Sequence, residues 1–498
     1  MTTHPLRPFH VDPANYAFSR VTFAPSGGDL LDARGRQRAL GCLVGGAVGD
    51  ALGAPFEFQP SGLFSQLFPF PELGGIGEMI GGGSFGWDPG EFTDDTQMAL
   101  SVALSILDRF GYDADHVWES WRAWRRTASD VGITTSHALS YSSWREVEHP
   151  RIESTVANGA LMRSFPLALV TLGLDDDTAR AVVLHQASLS HHHPAAGWGA
   201  WLSVSAMRVA ITGQDPFGEI DRQLSYLPED LREPFAAVLS PTWRPDHDDR
   251  SNGNVWTCLG QAVWAARHST DYEAAVVAAI DLGGDTDTVA CVAGALAGAI
   301  HGIQTIPSRW TTYVHGRVDL PSGTRVFDYA GLLELGHQLL GMDLPLQAPG
   351  ESPAGPVEMV DGVHAANLLG AGTVPSEWGV VSMCRTDDLF ATHEARRQVY
   401  MIDKEGGRNA SLDFAVRDAV LAIEAFRREG RPVVVHCHGG RSRTGLVLKA
   451  WHMARTGCSE REAHSWLAER WPLYADYNRT FVEYLQSADF DSWVSPEG

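Results

Sequence analysis

Gly283-Gly284-Asp285-Thr286-Asp287-Thr288-Val289-Ala290 decides how most of this chain is read, together with its distant echo Thr93-Asp94-Asp95-Thr96. Each run sets carboxylates among small residues at the mouth of an apolar helix: Met98, Val102 and Ile106 follow the first at helical spacing, and Val289, Val292, Leu296 and Ile300 the second. Asp and Thr in such places have a plain reading as helix caps. Two clusters of Asp with Thr hydroxyls beside them, and Gly-Gly giving the backbone room to turn, exceed what capping needs. Converging carboxylates repel one another in a dry site unless a cation sits between them. Neither run contains Cys or His, and an all-oxygen donor set selects hard ions, Mg²⁺ first and Mn²⁺ or Ca²⁺ behind it, over zinc.

The whole chain bounds the answer further. Its 498 residues suggest two to four domains, and 44% hydrophobic composition with 16 Trp is enough for sizeable cores. A formal charge of −23 argues against a non-specific nucleic-acid or anionic-membrane binder, while leaving room for a local basic phosphate site. The six cysteines (Cys42, Cys258, Cys291, Cys384, Cys437, Cys458) show no paired or CxxC spacing, which reads as a reducing compartment without a disulfide framework. No charged-then-apolar leader and no apolar run of membrane-spanning length stand out, so a cytoplasmic location and no membrane partner are expected.

Residues 1–34 lack sustained periodicity and read as an irregular arm. Beyond them Gly45, Gly49 and Gly53 recur at i, i+4, leaving one helix stripe without side chains. Each such Gly costs about 1 kcal/mol in a helix interior, so a row of them implies close approach by another helix. Pro55 ends this helix and Glu57 follows on the exit loop, where solvated surface is its plain reading. The Gly-rich stretch from Gly81 to Phe92 leads into the first acidic run and reads as a flexible loop able to fold over a ligand.

Four separated motifs in one order, GDALGAPFE (49–57), WDPGEFTDDTQMAL (87–100), NGALMRSFPLAL (158–169) and LGGDTDTVACVAGALAGAIHG (282–302), followed by IPSRW (306–310), resemble the ADP-ribosylglycohydrolase family over residues 35–342. The resemblance implies an all-α domain with a centre of two Mg²⁺ (or Mn²⁺) ions that removes ADP-ribose from a protein or small molecule. It implies metal binding by Thr93, Asp94, Asp95, Asp285, Asp287 and Thr288, with Glu57 acting near the metals as acid/base. Asn158-Gly159 and the run His191-His192-His193-Pro194 match segments that lie near ADP-ribose in relatives, although Ser190 stands where Thr is common. Exposed histidines near a turn are the competing reading of His191. Asp285-Thr286-Asp287-Thr288-Val289 also spells the aspartyl-phosphate signature of haloacid-dehalogenase-type phosphatases. That signature needs a buried strand before it, and Gly283-Gly284 break any such run.

A Pro-, Gly- and Ser-rich stretch marks a linker over 343–357, and the text then changes character. Short β-prone runs, Trp378 to Met383 and Val433 to Val435, are separated by an amphipathic helical stretch from Ser411 to Glu429, so residues 358–498 read as a smaller α/β domain. Val433-Val434-Val435-His436-Cys437-His438-Gly439-Gly440-Arg441-Ser442-Arg443-Thr444-Gly445 runs an apolar strand into a Gly-rich turn, with a helix starting at Leu446. Backbone N–H groups around such a turn, including those of Gly439 and Gly440, form a nest for a phosphate dianion, and the same field with Arg443 favours a Cys437 thiolate. Cys, five residues, then Arg in this context resembles the protein tyrosine and dual-specificity phosphatases. The resemblance implies a phosphocysteine on Cys437, a bidentate clamp by Arg443 and assistance from Thr444, with no metal required. A general acid is needed upstream of the helix leading to this strand. Asp403 occupies that place, with Asp387 and Asp388 as fallbacks. The expectation is a bifunctional hydrolase acting on an ADP-ribosylated protein or small molecule and on a phosphorylated substrate; the alternative is an ADP-ribosyl hydrolase whose second domain is a phosphate-binding targeting module.

Overall fold

The computed structural model describes residues 19–248, 250–343, 352–491 and 493–494. The described residues within Met1–Pro69, Ile80–Ile303 and Val314–Leu344 form one compact unit, and those within Phe70–Met79, Gln304–Tyr313 and Pro345–Gly498 form a second. The linker expected over 343–357 falls largely on residues 344–351, outside the described residues.

The first unit is helical. Its centre is α1 (Ala33–Gly53), started by Asp32, whose carboxylate accepts from Gly35 N at 2.7 Å. The other two helices that frame the acidic runs are α2 (Asp94–Arg109) and α3 (Thr286–His301). The glycine stripe of α1 lies on α3 backbone to backbone: a Cβ on Gly53 would stand 2.6 Å from Thr286 O, and one on Gly45 2.5 Å from Gly294 O. Real Cβ atoms do not approach so closely, so only glycine fits this seam. By length and composition the helical run Ala33–Phe56 reaches membrane-spanning dimensions, contrary to the sequence expectation, but 94% of its apolar window is buried in the unit as a core helix would be.

Part of the expected N-terminal arm is ordered. Arg20–Thr22 (β1) pairs antiparallel with Gly111–Asp113 (β2), and a 3₁₀ turn at Gly27–Leu30 precedes α1. Three residues are too few for a period-2 pattern to register in sequence. A second ribbon pairs His315–Leu320 (β3) with Gly323–Asp328 (β4).

The second unit is an α/β sheet. Val357–Val360 (β5), Val363–Asn367 (β6), Gly379–Ser382 (β7), Arg396–Gln398 (β8) and Val433–Cys437 (β9) take the order β5-β6-β9-β7-β8, parallel except at β5-β6. The central strand β9 is buried along its whole length, as parallel strands covered on both faces are. Val433 and Val435 join the cluster of Val416, Val420 and Phe426 from Leu412–Arg428 (α4) and Leu446 and Trp451 from Ser442–Thr456 (α5). Val434 faces the other way, toward Val380 and Phe390. This unit also contains a buried ion pair, Arg309 Nε to Glu78 Oε2 at 2.9 Å, to which Trp310 Nε1 adds a donor at 2.7 Å. Arg397, 2% exposed, donates to Leu73 O at 2.8 Å and Gly75 O at 2.9 Å.

Candidate active sites

The two acidic runs meet in the first unit. Thr93 caps α2, so Asp94 and Asp95 are its first residues, and Asp285 precedes α3 with Asp287 in its first turn. Gly283 and Gly284 have φ of 73° and 76°, a backbone that only glycine adopts without strain, and they turn the chain back into α3. Asp50, on α1, accepts from Thr93 N at 3.0 Å and Thr96 N at 3.0 Å and so satisfies the start of α2. Ligand oxygens of Asp50, Asp95 and Asp287 lie within 4.8 Å of one another, as do those of Glu57, Asp285 and Asp287. Thr93 and Thr288 both donate to Asp95 Oδ2 at 3.3 Å.

Such crowding is costly: two unit charges 4 Å apart repel by about 4 kcal/mol at an effective dielectric near 20. Burial first, and then the neighbouring carboxylates, hold Asp94, Asp95 and Asp287 well above the ordinary carboxylate range. Burial also lifts Asp50 to about 6 against the pull of its hydrogen bonds from Thr96 and Thr93. Glu57 is raised to about 8, by burial and then by Asp285, Asp130 and Asp50. Asp95 Oδ1 and Glu57 Oε2 are buried without a hydrogen-bond partner among the described residues. Unsatisfied carboxylate oxygens in an all-oxygen set are what a hard divalent cation requires, so these residues fit one.

Glu57, Asp94, Asp95, Asp285 and Asp287 line a cleft of about 580 Å³, a volume suited to a nucleotide-sized ligand. Asn158, Gly159, His191, Asp130, Phe58 and Phe85 line it with the acids. Asn158 Nδ2 donates to Asp285 Oδ2 at 2.8 Å. His191 is 2% exposed, which overturns the reading of an exposed histidine; Gly159, lacking a side chain, makes room for its ring, since a Cβ there would stand 3.2 Å from Nε2. Glu57 is likewise buried at 6%, because the turn after α1 folds into the acid cluster instead of outward. Three residues escape the sequence reading. Asp50 is concealed in the glycine stripe, although a carboxylate on an apolar helix was a readable signal. Asp130, raised to about 6 by burial and then by Asp285, is a lone acid in a loop. Asn252 accepts from Asp285 N at 3.0 Å and donates to Gly283 O at 2.9 Å, bracing the glycine turn.

In the second unit Cys437 ends β9, flanked by the C-terminal ends of β6 and β7, where open parallel sheets bind their ligands. Gly439 and Gly440 form the turn into α5; Gly440 has φ 67°, and its carbonyl accepts from Trp471 Nε1 at 2.6 Å. Arg443 Nη1 donates to Met383 O at 2.6 Å and Met401 O at 3.2 Å. Its Nε lies 3.9 Å from Asp403 Oδ2 and makes no hydrogen bond among the described residues. Asp403 accepts from Tyr477 Oη at 2.8 Å and Asn478 Nδ2 at 3.2 Å. Asp403 thus stands beside Arg443, whereas Asp387 and Asp388 sit exposed on a 3₁₀ turn and Asp387 pairs with Arg385 at 3.2 Å. Thr444 is fully buried with Oγ1 unpartnered among the described residues.

Comparison with known proteins covers both units. The family model "ADP-ribosylglycohydrolase" matches residues 31–341, and the model "Dual specificity phosphatase, catalytic domain" matches residues 381–486. An ADP-ribosyl-[dinitrogen reductase] glycohydrolase of Rhodospirillum rubrum is 31% identical over 288 residues, 57% of this chain and 92% of that protein. The ADP-ribosylarginine hydrolase Tri1 of Pseudomonas putida is 29% identical over 293 residues, 56% of this chain and 74% of that protein. A solved structure titled "ADP-ribosylglycohydrolase-related protein complex" aligns with a TM-score of 0.49 and 29% identity, over 62% of this chain and 99% of that one.

Proposed function

From the premise that this chain belongs to the ADP-ribosylglycohydrolase family and carries a dual-specificity phosphatase domain, we propose that it is a bifunctional hydrolase. Its first unit cleaves the glycosidic bond between ADP-ribose and a carrier, and its second hydrolyses a phosphate monoester. The observation that carries the first assignment is the pair of buried carboxylate oxygens, on Asp95 and Glu57, that line the cleft without a hydrogen-bond partner among the described residues.

Thr93, Asp94, Asp95, Asp285, Asp287 and Thr288, joined by Asp50, would hold two divalent cations, magnesium or manganese. When bound, such ions supply positive charge that fixes ribose hydroxyls and acidifies water. The chain's own part is as follows. Asn158 and Asn252 fix Asp285 from two sides. Glu57 moves the proton of water or leaving group, and the surrounding carboxylates favour the positive charge of an oxocarbenium-like transition state. Among the described residues the cleft lining contains no lysine or arginine, while Asp130 and Glu57 border it with Phe58 and Phe85. Acids beside aromatic rings suit a cationic leaving group, and a relative is named for ADP-ribosylarginine. ADP-ribosylated arginine is therefore the first substrate to assay. Release of ADP-ribose from it, lost on chelation and in Asp287→Ala, supports the assignment; full release in chelator removes it.

In the second unit Cys437 attacks phosphorus, the turn N–H groups and Arg443 hold the phosphoryl oxygens, and Asp403 protonates the leaving oxygen. Turnover, over the targeting-module reading, is supported by the retained Cys437 and by Asp403 Oδ2 standing 3.9 Å from Arg443 Nε. Phosphate release from an aryl phosphate ester, abolished in Cys437→Ser, is the test.

A further inference from the structure

Behind His191 lies a chain of buried polar groups that the proposed chemistry does not use. Arg163 is 0% exposed, with its guanidinium carbon 4.1 Å from the Trp121 ring centroid. Its Nε donates to Gln186 Oε1 at 3.1 Å, and its Nη2 donates to Gln186 O at 3.3 Å and to Ser190 Oγ at 2.8 Å. Ser190 Oγ in turn lies 2.9 Å from His191 Nδ1. The Ser190 carbonyl accepts from the His149 ring at 2.9 Å, which fixes the residue from its other side.

Hydrogen-bond chemistry orders this chain in one direction. A guanidinium only donates, so Arg163 fills an acceptor position on Ser190 and leaves the hydroxyl hydrogen for the imidazole. His191 Nδ1 then accepts, and the ring hydrogen sits on Nε2. The opposite tautomer aims two donors at one hydroxyl oxygen and leaves the Ser190 hydrogen without an acceptor among the described residues. The ring stays neutral, because burial, followed by Arg163, His149 and His192, opposes its protonation. His191 Nε2 has no partner among the described residues, and the ring borders the cleft across Gly159.

We propose that Arg163 and Ser190 are positioning residues that lock His191 as its Nε2–H tautomer, presenting a neutral donor to an oxygen of ADP-ribose. The proposal rests on the reading of the first unit as an ADP-ribosyl hydrolase. It also explains how a cleft lined, among the described residues, by no lysine or arginine offers a side-chain donor to an oxygen-rich ligand: a buried cation stands one hydroxyl behind the imidazole and orients it without touching the substrate.

Histidine-selective ¹⁵N labelling of the full chain, with two-bond ¹H–¹⁵N correlations, reads the tautomer directly, and calorimetric titration with ADP-ribose in magnesium reads binding. The wild type is expected to carry its His191 hydrogen on Nε2. Ser190→Ala should mix the tautomers and weaken ADP-ribose binding by about tenfold, the equivalent of about 1.4 kcal/mol for one misaimed donor, and Ser190→Thr should restore both. A wild-type hydrogen on Nδ1, or unchanged affinity in Ser190→Ala, overturns the proposal. The tautomer measurement needs no ligand, so a wild type that fails to bind ADP-ribose would refute the hydrolase reading while the nitrogen shifts still judge the relay.

Discussion

Asn158 Nδ2 reaches Asp285 Oδ2 at 2.8 Å across 127 residues of sequence, so one cleft wall is hydrogen-bonded to a carboxylate of the acid cluster. Residues that orient a metal-binding carboxylate from behind typically matter by about 10- to 100-fold. Asn158→Ala should therefore lower ADP-ribose release by that order and raise the magnesium concentration needed for half-maximal rate. An unchanged magnesium requirement would detach Asn158 from the cluster.

Divalent cation should stabilise the fold as well as support turnover. A ligand at 100 times its Kd adds about 2.7 kcal/mol, a shift of several degrees in Tm. Magnesium added to chelator-treated protein should produce that shift. Asp95→Asn removes one of the mutually repelling charges, so its metal-free form should melt no lower than the metal-free wild type and should respond far less to magnesium. A full magnesium response in Asp95→Asn would contradict the donor set.

The acid role proposed for Asp403 predicts a dependence on the leaving group. An alkyl phosphate needs its departing oxygen protonated, whereas a nitrophenyl phosphate scarcely does. General-acid loss is worth about 10²- to 10⁴-fold where it matters, so Asp403→Asn should slow phosphoserine hydrolysis by that order and nitrophenyl phosphate hydrolysis much less. Equal slowing of both would assign Asp403 to fixing Arg443, which lies 3.9 Å away. Cys437→Ser should abolish both while ADP-ribose release continues.

Acid should weaken the first unit through His185, whose Nδ1 lies 2.8 Å from Tyr112 Oη. Burial, followed by Arg145, depresses it from 6.5 to about 4. The unfolded chain therefore takes up the proton more readily. Its contribution is fully present above pH 6.5 and declines as pH falls toward about 4, by an amount on the order of 3 kcal/mol. Compared with the wild type, His185→Gln should show a shallower fall in Tm between pH 6.5 and 4; parallel curves would exclude His185 as the group responsible.

What the sequence discloses is local. The runs 93–96 and 285–288 declare themselves because carboxylates and small residues adjoin helix starts, and the turn after Cys437 because strand, glycines and Arg443 follow one another within one short stretch. Asp50 stayed hidden because its partners, Thr93 N and Thr96 N, lie 43 and 46 residues away and its own helix reads as packing. His191 looked exposed because its burial depends on the space left by Gly159, which no local pattern records. The assignment of Phe70–Met79 and Gln304–Tyr313 to the second unit is equally invisible, since bonds such as Arg397 to Leu73 O join residues 324 apart.

The glycine seam sets the bore of the acid site. Asp50 stands on α1 and Asp287 on α3, and where Gly45 and Gly53 meet Gly294 O and Thr286 O no side chain remains to flex between the two backbones. The helices act as the jaws of a caliper without a spring, and their opening is inherited by the carboxylates at the ends. A single methyl at Gly45, roughly three turns of helix before Glu57 and remote from any reacting atom, would reset that opening. The calibre of any ion held between these carboxylates would thus be written in residues that never touch it.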